Sequence, residues 1–239
     1  MTTDFVAEPL AEDALLLRFG ESIDAAVNAR VQLAARKLRA ANLPGVVDIA
    51  PAYASLLLRF DPFARGDARG RGEPPHARLP GEIKTILRQP QSPDARAPTR
   101  MIEIPVCYGG DCGPDLADVA AHAGIAPDEV IACHAAAEYT VAMLGFAPGF
   151  PYLLGLDAAL HVPRRANPRT RVPAGSVAIG GAQTGIYPGE LPGGWHLIGR
   201  TPLVLFDPSR DPPALLAPGD RVRFRAIDAV AFARLVEHA

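Results

Sequence analysis

The sequence predicts an α+β unit followed by a mainly-β unit that closes into a barrel, and three observations carry that prediction. Over residues 14–60 a strand, a long amphipathic helix and a pair of strands succeed one another. Residues 61–99 then hold seven Pro and six Arg, with few large apolar groups beyond Ile83, Ile86 and Leu87. Such a composition resists packing and marks a connection. From Tyr139 onward, short apolar runs alternate with Gly/Pro turns, as the strands of a closed or nearly closed barrel do. The expected division is therefore 1–98 and 99–239, and 239 residues, 49% of them hydrophobic, suffice for two cores of ordinary size.

In the first unit, residues 14–19 read as an apolar strand closed by Gly20. Ser22 stands where a helix cap belongs, and Ile23, Val27, Val31, Ala34 and Leu38 keep helical spacing until Asn42 and Gly45 end the pattern. Residues 46–50 and 55–60 form two strands around a Pro51-Ala52-Tyr53 turn, and a shorter helix is expected at 81–88. This order suits a ferredoxin-like arrangement.

The second unit opens on an alternating strand at 101–106. Pro114 and Asp115 start a short helix through 123, and Pro127-Asp128-Glu129 start another through about 137, because Pro fits the first turn and acids suit the positive helix end. Strands are expected at 141–144, 177–179, 197–198, 203–206 and 222–224, with an amphipathic helix at 227–238.

The formal net charge is −2, which gives no basic stripe for nucleic acid or an anionic membrane. Neither a signal peptide nor a membrane-length apolar run is visible, so a cytoplasmic protein is expected. The three cysteines, Cys107, Cys112 and Cys133, fit a reducing compartment, and their spacing with His134 matches no common zinc pattern.

Special residues concentrate at 145–202, which hold eleven Gly and eight Pro. Turns of this kind, carried by a rigid scaffold, are where binding groups usually sit. His134 and Glu138, four apart, would form an acid and base pair if the helix continued; the residues alone leave open whether His134 is instead a helix-end cap. Phe146 and Phe150 of the GFAPGFPY turn are expected in the core, with Tyr152 making contacts. Arg164, Arg165, Arg169, Arg171 and Arg200 share a stretch whose one carboxylate is Glu190, which suggests an anion site, although a solvated face stays open for Arg164. Gln183, Thr184 and Tyr187 offer an amide and two hydroxyls beside bare backbone, and Trp195 lies between glycines and Arg200. The IGGAQTG run lacks the Lys of a nucleotide loop, and Ser176 lacks a nucleophile-elbow context.

Three segments resemble a known family: CYGGDCGPDL at 107–116, HAAAEYTVAMLGFAPGFPYL at 134–153, and PRRANPRTRVPAGSVAIGGAQTGIYPGELPGGWHLIGRTP at 163–202. They resemble the B subunits of bacterial 5-oxoprolinases, a family also called allophanate hydrolase subunit 1 or kinase-inhibitor-like proteins. The resemblance implies a cyclophilin-like barrel behind a small α/β domain, forming half of a carboxyltransferase module. It implies partners, 5-oxoprolinase subunits C and A, with which ATP drives the opening of 5-oxo-L-proline to L-glutamate, ATP being bound by the complex. Two alternatives follow from the same resemblance: an inhibitor of a sensor histidine kinase, or a urea-carboxylase component served by biotin on a partner. Under the leading expectation His134 and Glu138 act as acid/base or orienting pair, Arg169 and Arg171 hold an anion, and Gln183, Thr184 and Tyr187 meet the amide. Tyr152, Arg165, Trp195 and Arg200 complete the expected substrate contacts, and no metal is expected.

Overall fold

The computed structural model describes residues 4–64, 73–90 and 100–237. The chain divides into two compact units, Met1–Pro98 and Thr99–Ala239. Among the described residues no helix is long and apolar enough to cross a membrane.

The first unit contains β1 (Val6–Ala11), β2 (Ala14–Arg18), α1 (Ala25–Ala41), β3 (Val46–Pro51), β4 (Ser55–Phe60) and α2 (Pro75–Arg88). Its sheet runs β1-β2-β4-β3 with every pairing antiparallel. The expected strand, helix, strand pair and helix are present. The ferredoxin-like arrangement is not established, because the strand beside β2 is the N-terminal β1. That strand escapes a periodicity reading because Pro9 interrupts it, and Pro is tolerated there at an edge beside a register irregularity. Glu8 and Arg18 tie it to β2 through two hydrogen bonds of 3.0 and 2.8 Å.

Helix α1 starts two residues later than Ser22 would place it. Asp24 is the cap, its Oδ1 accepting the Val27 N–H at 2.8 Å, and Ile23 stays exposed. Asn42 closes the helix in the left-handed conformation, φ 45°. Helix α2 begins six residues before the expected segment, with Pro75 in its first turn and Pro80 inside it. Leu79, Ile83 and Leu87 of α2 join Val31, Ala35 and Leu38 of α1 over the apolar face of the sheet, a buried core of its own.

The second unit contains β5 (Met101–Tyr108), α3 (Leu116–Ala123), α4 (Pro127–Ala136), β6 (Glu138–Leu144), β7 (Pro151–Leu154), β8 (Arg169–Val172), β9 (Ser176–Gly180), β10 (Gln183–Ile186), β11 (Leu191–Gly193), β12 (His196–Arg200), β13 (Arg221–Ile227) and α5 (Ala229–Glu237). Seven of these strands close into a barrel in the order β10-β7-β6-β13-β5-β12-β9, and β8 and β11 form a separate ribbon. Strands β13 and β5 pair in parallel, the other barrel neighbours antiparallel. The expected strand at 203–206 is not one; only Phe206 makes an isolated bridge, to Ala214. Apolar spacing cannot separate a buried loop from a short strand, and Leu205 is buried in the barrel core all the same.

A turn at 109–115 positions the barrel's main buried carboxylate. Gly113 is required there, because a Cβ would lie 2.1 Å from the Ile198 carbonyl oxygen. The close approach lets Gly109 N–H donate to Ile198 and Asp115 N–H donate to Leu197, at 3.0 and 2.9 Å. Asp115 is thereby fixed against β12 before α3 begins.

Candidate functional site

His134 lies in the last turn of α4 and is fully buried. Its Nδ1 is 2.8 Å from the Tyr108 hydroxyl and its Nε2 is 3.0 Å from Thr184 Oγ1. Thr184 donates its own proton to the Ala178 carbonyl at 2.9 Å, so its oxygen accepts from His134. The imidazole is therefore the Nε2–H tautomer, with Nδ1 accepting from Tyr108. Burial holds its pKa down at about 3. It stacks on Phe224 with ring centroids 4.5 Å apart.

Glu138 is not its partner. The chain leaves α4 at Ala137 in an extended conformation, and Glu138 opens β6, where it forms ion pairs with Arg221 and, at 3.6 Å, with Arg223. The expected acid/base pair fails because four-residue spacing brings two side chains together only while the helix continues. Gln183 and Thr184 are buried strand residues of β10, opposite Gly180 and Ile179. The IGGAQTG turn joins β9 to β10 rather than entering a helix, and its Gly180 is needed because a Cβ would meet the Trp195 ring at 2.5 Å. No phosphate cradle is formed at this turn.

The arginine run separates into two kinds. Asp115, which the sequence offers only as a helix start, is buried and accepts four hydrogen bonds. Arg165 Nη1 and Arg169 Nη2 donate to Oδ1 at 2.9 and 2.8 Å, while Arg169 Nη1 and Leu197 N–H donate to Oδ2 at 2.7 and 2.8 Å. Burial pushes the Asp115 pKa up, but the Arg169 fork, the Leu197 amide and Arg165 outweigh it and hold the carboxyl below its ordinary value. Arg171 pairs instead with Glu190 at 3.3 Å in solvent, and Arg200 donates to the Ala174 carbonyl at 2.8 Å. The expectation of guanidinium groups without matching acids is thus corrected for Arg165, Arg169 and Arg171.

Arg164 differs. Its guanidinium carbon lies 5.7 Å from the centre of the Trp195 ring, and among the described residues no carboxylate pairs with it. Beneath it opens a cavity of about 220 Å³ walled by Phe150, Tyr152, Tyr187 and Trp195, with Arg165 and Gly193 on its rim. The rings meet edge to face, Phe150 lying 5.2 Å from Tyr187 and 5.8 Å from Trp195. Tyr187 fits because position 193 carries no side chain; a Cβ there would lie 2.1 Å from its hydroxyl. Burial raises the pKa of both phenols, Tyr152 and Tyr187, against the opposing charge of Arg164. Phe146, expected in the core, is 61% exposed at the cavity edge with φ 67°, a conformation unusual for a bulky residue.

The cavity thus gathers four of the expected site residues, Tyr152, Arg165, Tyr187 and Trp195. His134, Glu138, Arg169, Arg171, Gln183, Thr184 and Arg200 do not line it. Arg164 and Asp115 are the residues sequence reasoning undervalued. A signal for Asp115 existed in its context, a carboxylate directly after Gly113-Pro114 at the start of a mostly apolar helix.

The barrel carries an arginine-rimmed aromatic cleft, and a small α/β unit precedes it in the chain. The family described as "Carboxyltransferase domain, subdomain C and D" matches residues 5–216, and the chain belongs to it. Proteins named as the B subunit of 5-oxoprolinase are similar over nearly the full length. That of Bacillus subtilis (strain 168) is 43% identical over 225 residues, covering 94% of this chain and 93% of its own. That of Escherichia coli O157:H7 is 45% identical over 218 residues, covering 90% and 93%. The solved structure of TTHA0988 is similar at 42% identity and a TM-score of 0.76, over 90% of this chain. This chain spans only 40% of that longer one.

Proposed function

We propose that this chain is a subunit of an ATP-dependent 5-oxoprolinase, opening 5-oxo-L-proline to L-glutamate in company with partner subunits C and A. The observation that carries the reading is the near full-length similarity to two proteins named as the B subunit of that enzyme. The site chemistry agrees with it. A lactam is a small planar amide, and an aromatic cavity of about 220 Å³ suits a ring of that size.

The chain's own part is to bind and orient the lactam and to exclude water from it. His134 is neutral and enclosed, so it is assigned a scaffold role, and the described walls of the cavity include no Ser, Thr, Cys, Lys, His or carboxylate. ATP supplies the driving force for breaking a resonance-stabilised C–N bond. The hairpin form of the IGGAQTG turn supports placing its phosphates on a partner.

Reconstitution tests the proposal. The chain mixed with both partner proteins is expected to release ADP and glutamate only when 5-oxo-L-proline is present, and the chain alone is expected to release neither. Absence of 5-oxo-L-proline-dependent ATP hydrolysis in the full mixture would reject the assignment.

A further inference from the structure

We propose that Arg164 is the carboxylate-recognising residue of the aromatic cavity, so that the pocket selects a small ring bearing both a planar amide and a carboxylate. Naming 5-oxo-L-proline as that ring rests on the function proposed above; the carboxylate specificity rests on the cavity itself.

Charge around the mouth is out of balance. Arg164, Arg165 and Arg169 are three cations, and the only carboxylate ion-paired with them among the described residues is Asp115. Arg164 therefore keeps its positive charge beside a wall of low polarity, which strengthens attraction for an anion. Asp115 commits all of its partners inward: both terminal nitrogens of Arg169 and one of Arg165 are used on it. Arg165 Nε is buried without a hydrogen-bond partner among the described residues, on a side chain that borders the cavity. Arg165 is committed to Asp115, and Arg164 is the guanidinium left available at the mouth.

Arg164 adds a guanidinium whose carbon lies 5.7 Å from the centre of the Trp195 ring, within the range at which the ring face attracts a cation. A carboxylate on the Arg164 guanidinium would leave the rest of a ring against Tyr152, Tyr187 and Trp195. At roughly 30 Å³ per water molecule, the cavity of about 220 Å³ matches about seven waters, the scale of a small metabolite. A site built this way prefers a ligand with a carboxylate to an uncharged analogue, because the analogue forgoes the ion pair with the uncommitted Arg164 guanidinium. Urea, which has no carboxylate, is such an analogue.

Trp195 is the single tryptophan of the chain, so its emission reports the cavity directly. The experiment titrates the chain with 5-oxo-L-proline and with 2-pyrrolidinone, the same lactam without the carboxylate, in the wild type, Arg164→Gln and Arg164→Lys. The expected result is an emission change with at least tenfold preference for 5-oxo-L-proline. That preference is lost in Arg164→Gln and partly kept in Arg164→Lys, with the thermal midpoint unchanged. Equal response to both lactams, or a preference that survives Arg164→Gln, overturns the inference.

If the chain alone responds to neither lactam, the decision falls to the reconstituted complex. Arg164→Gln raising KM for 5-oxo-L-proline at least tenfold with kcat little changed sustains the inference, and an unchanged KM overturns it. Should the complex have no 5-oxo-L-proline-dependent activity, the proposed function fails. The cavity is then judged on Trp195 emission with acetate and succinate against acetamide and succinamide: carboxylate preference abolished by Arg164→Gln sustains the inference, and equal response overturns it.

Discussion

Arg164 and Arg165 are adjacent in the chain and opposite in circumstance. Arg165, with Arg169, is drawn inward to a buried carboxylate contributed from 50 residues earlier, whereas Arg164 lies near an indole ring and has no carboxylate partner among the described residues. Asp115 and His134 are enclosed and fully engaged; at the open cavity mouth Arg164 stays without a carboxylate partner among the described residues. The difference teaches that an arginine-rich segment is not one anion site. The members that matter for a ligand are those the fold leaves uncommitted.

The largest expected effect comes from breaking the enclosed side of this contrast. Asp115→Ala strands two guanidinium groups that are about three-quarters buried and removes the acceptor of the Leu197 amide. Removing one partner of a buried ion pair typically costs about 3–5 kcal/mol, so urea unfolding should show a loss of that order. A loss below about 1 kcal/mol would mean that the cluster behaves as a surface network, and the contrast with Arg164 would collapse.

Much of this was legible in the sequence, and what was not has identifiable causes. Strands β5, β6, β9, β12 and β13 announce themselves by apolar runs, and α3 and α4 by proline and acids at their starts. Strands β7, β8, β10 and β11 do not. Pro151, Pro192 and Gly185 interrupt them, and RTRV and QTGI have no clear alternation because barrel closure and the ribbon set their exposure. The site was half visible for the same reason. Tyr152, Tyr187 and Trp195 stand out among glycines, but Asp115 reaches its arginines only through the turn that Gly113 permits. His134 and Glu138 misled because sequence spacing says nothing of where a helix yields to a strand.

His134 sharpens the comparison through pH. Its ordinary pKa is about 6.5 and burial lowers it to about 3. Between those values the unfolded chain binds a proton that the folded chain refuses, so stability falls as pH drops below 6.5. The loss attributable to this group is about 2 kcal/mol at pH 5. His134→Gln, which keeps polar atoms toward Tyr108 and Thr184, should lose about 2 kcal/mol less than the wild type between pH 7 and pH 5. Parallel stability curves for the two proteins would show that His134 charges within the fold and would return it to candidacy as an acid.

Arg171 supplies the smallest effect and the control for the arginine argument. Its side chain is 81% exposed and its partner Glu190 is 58% exposed, so their 3.3 Å contact is solvated and screened. Exposed pairs contribute little, and Arg171→Ala should shift stability by less than about 0.5 kcal/mol. It does not border the cavity, so the Trp195 response to 5-oxo-L-proline should also stay within about twofold of the wild type. Both measurements have to come out small. If Arg171→Ala weakened the ligand response as much as Arg164→Gln, the attraction would be a diffuse field shared by the whole segment. Salt would distinguish the two cases further: a diffuse field fades over a Debye length of ~8 Å at physiological ionic strength, while a direct contact with the Arg164 guanidinium should fade less.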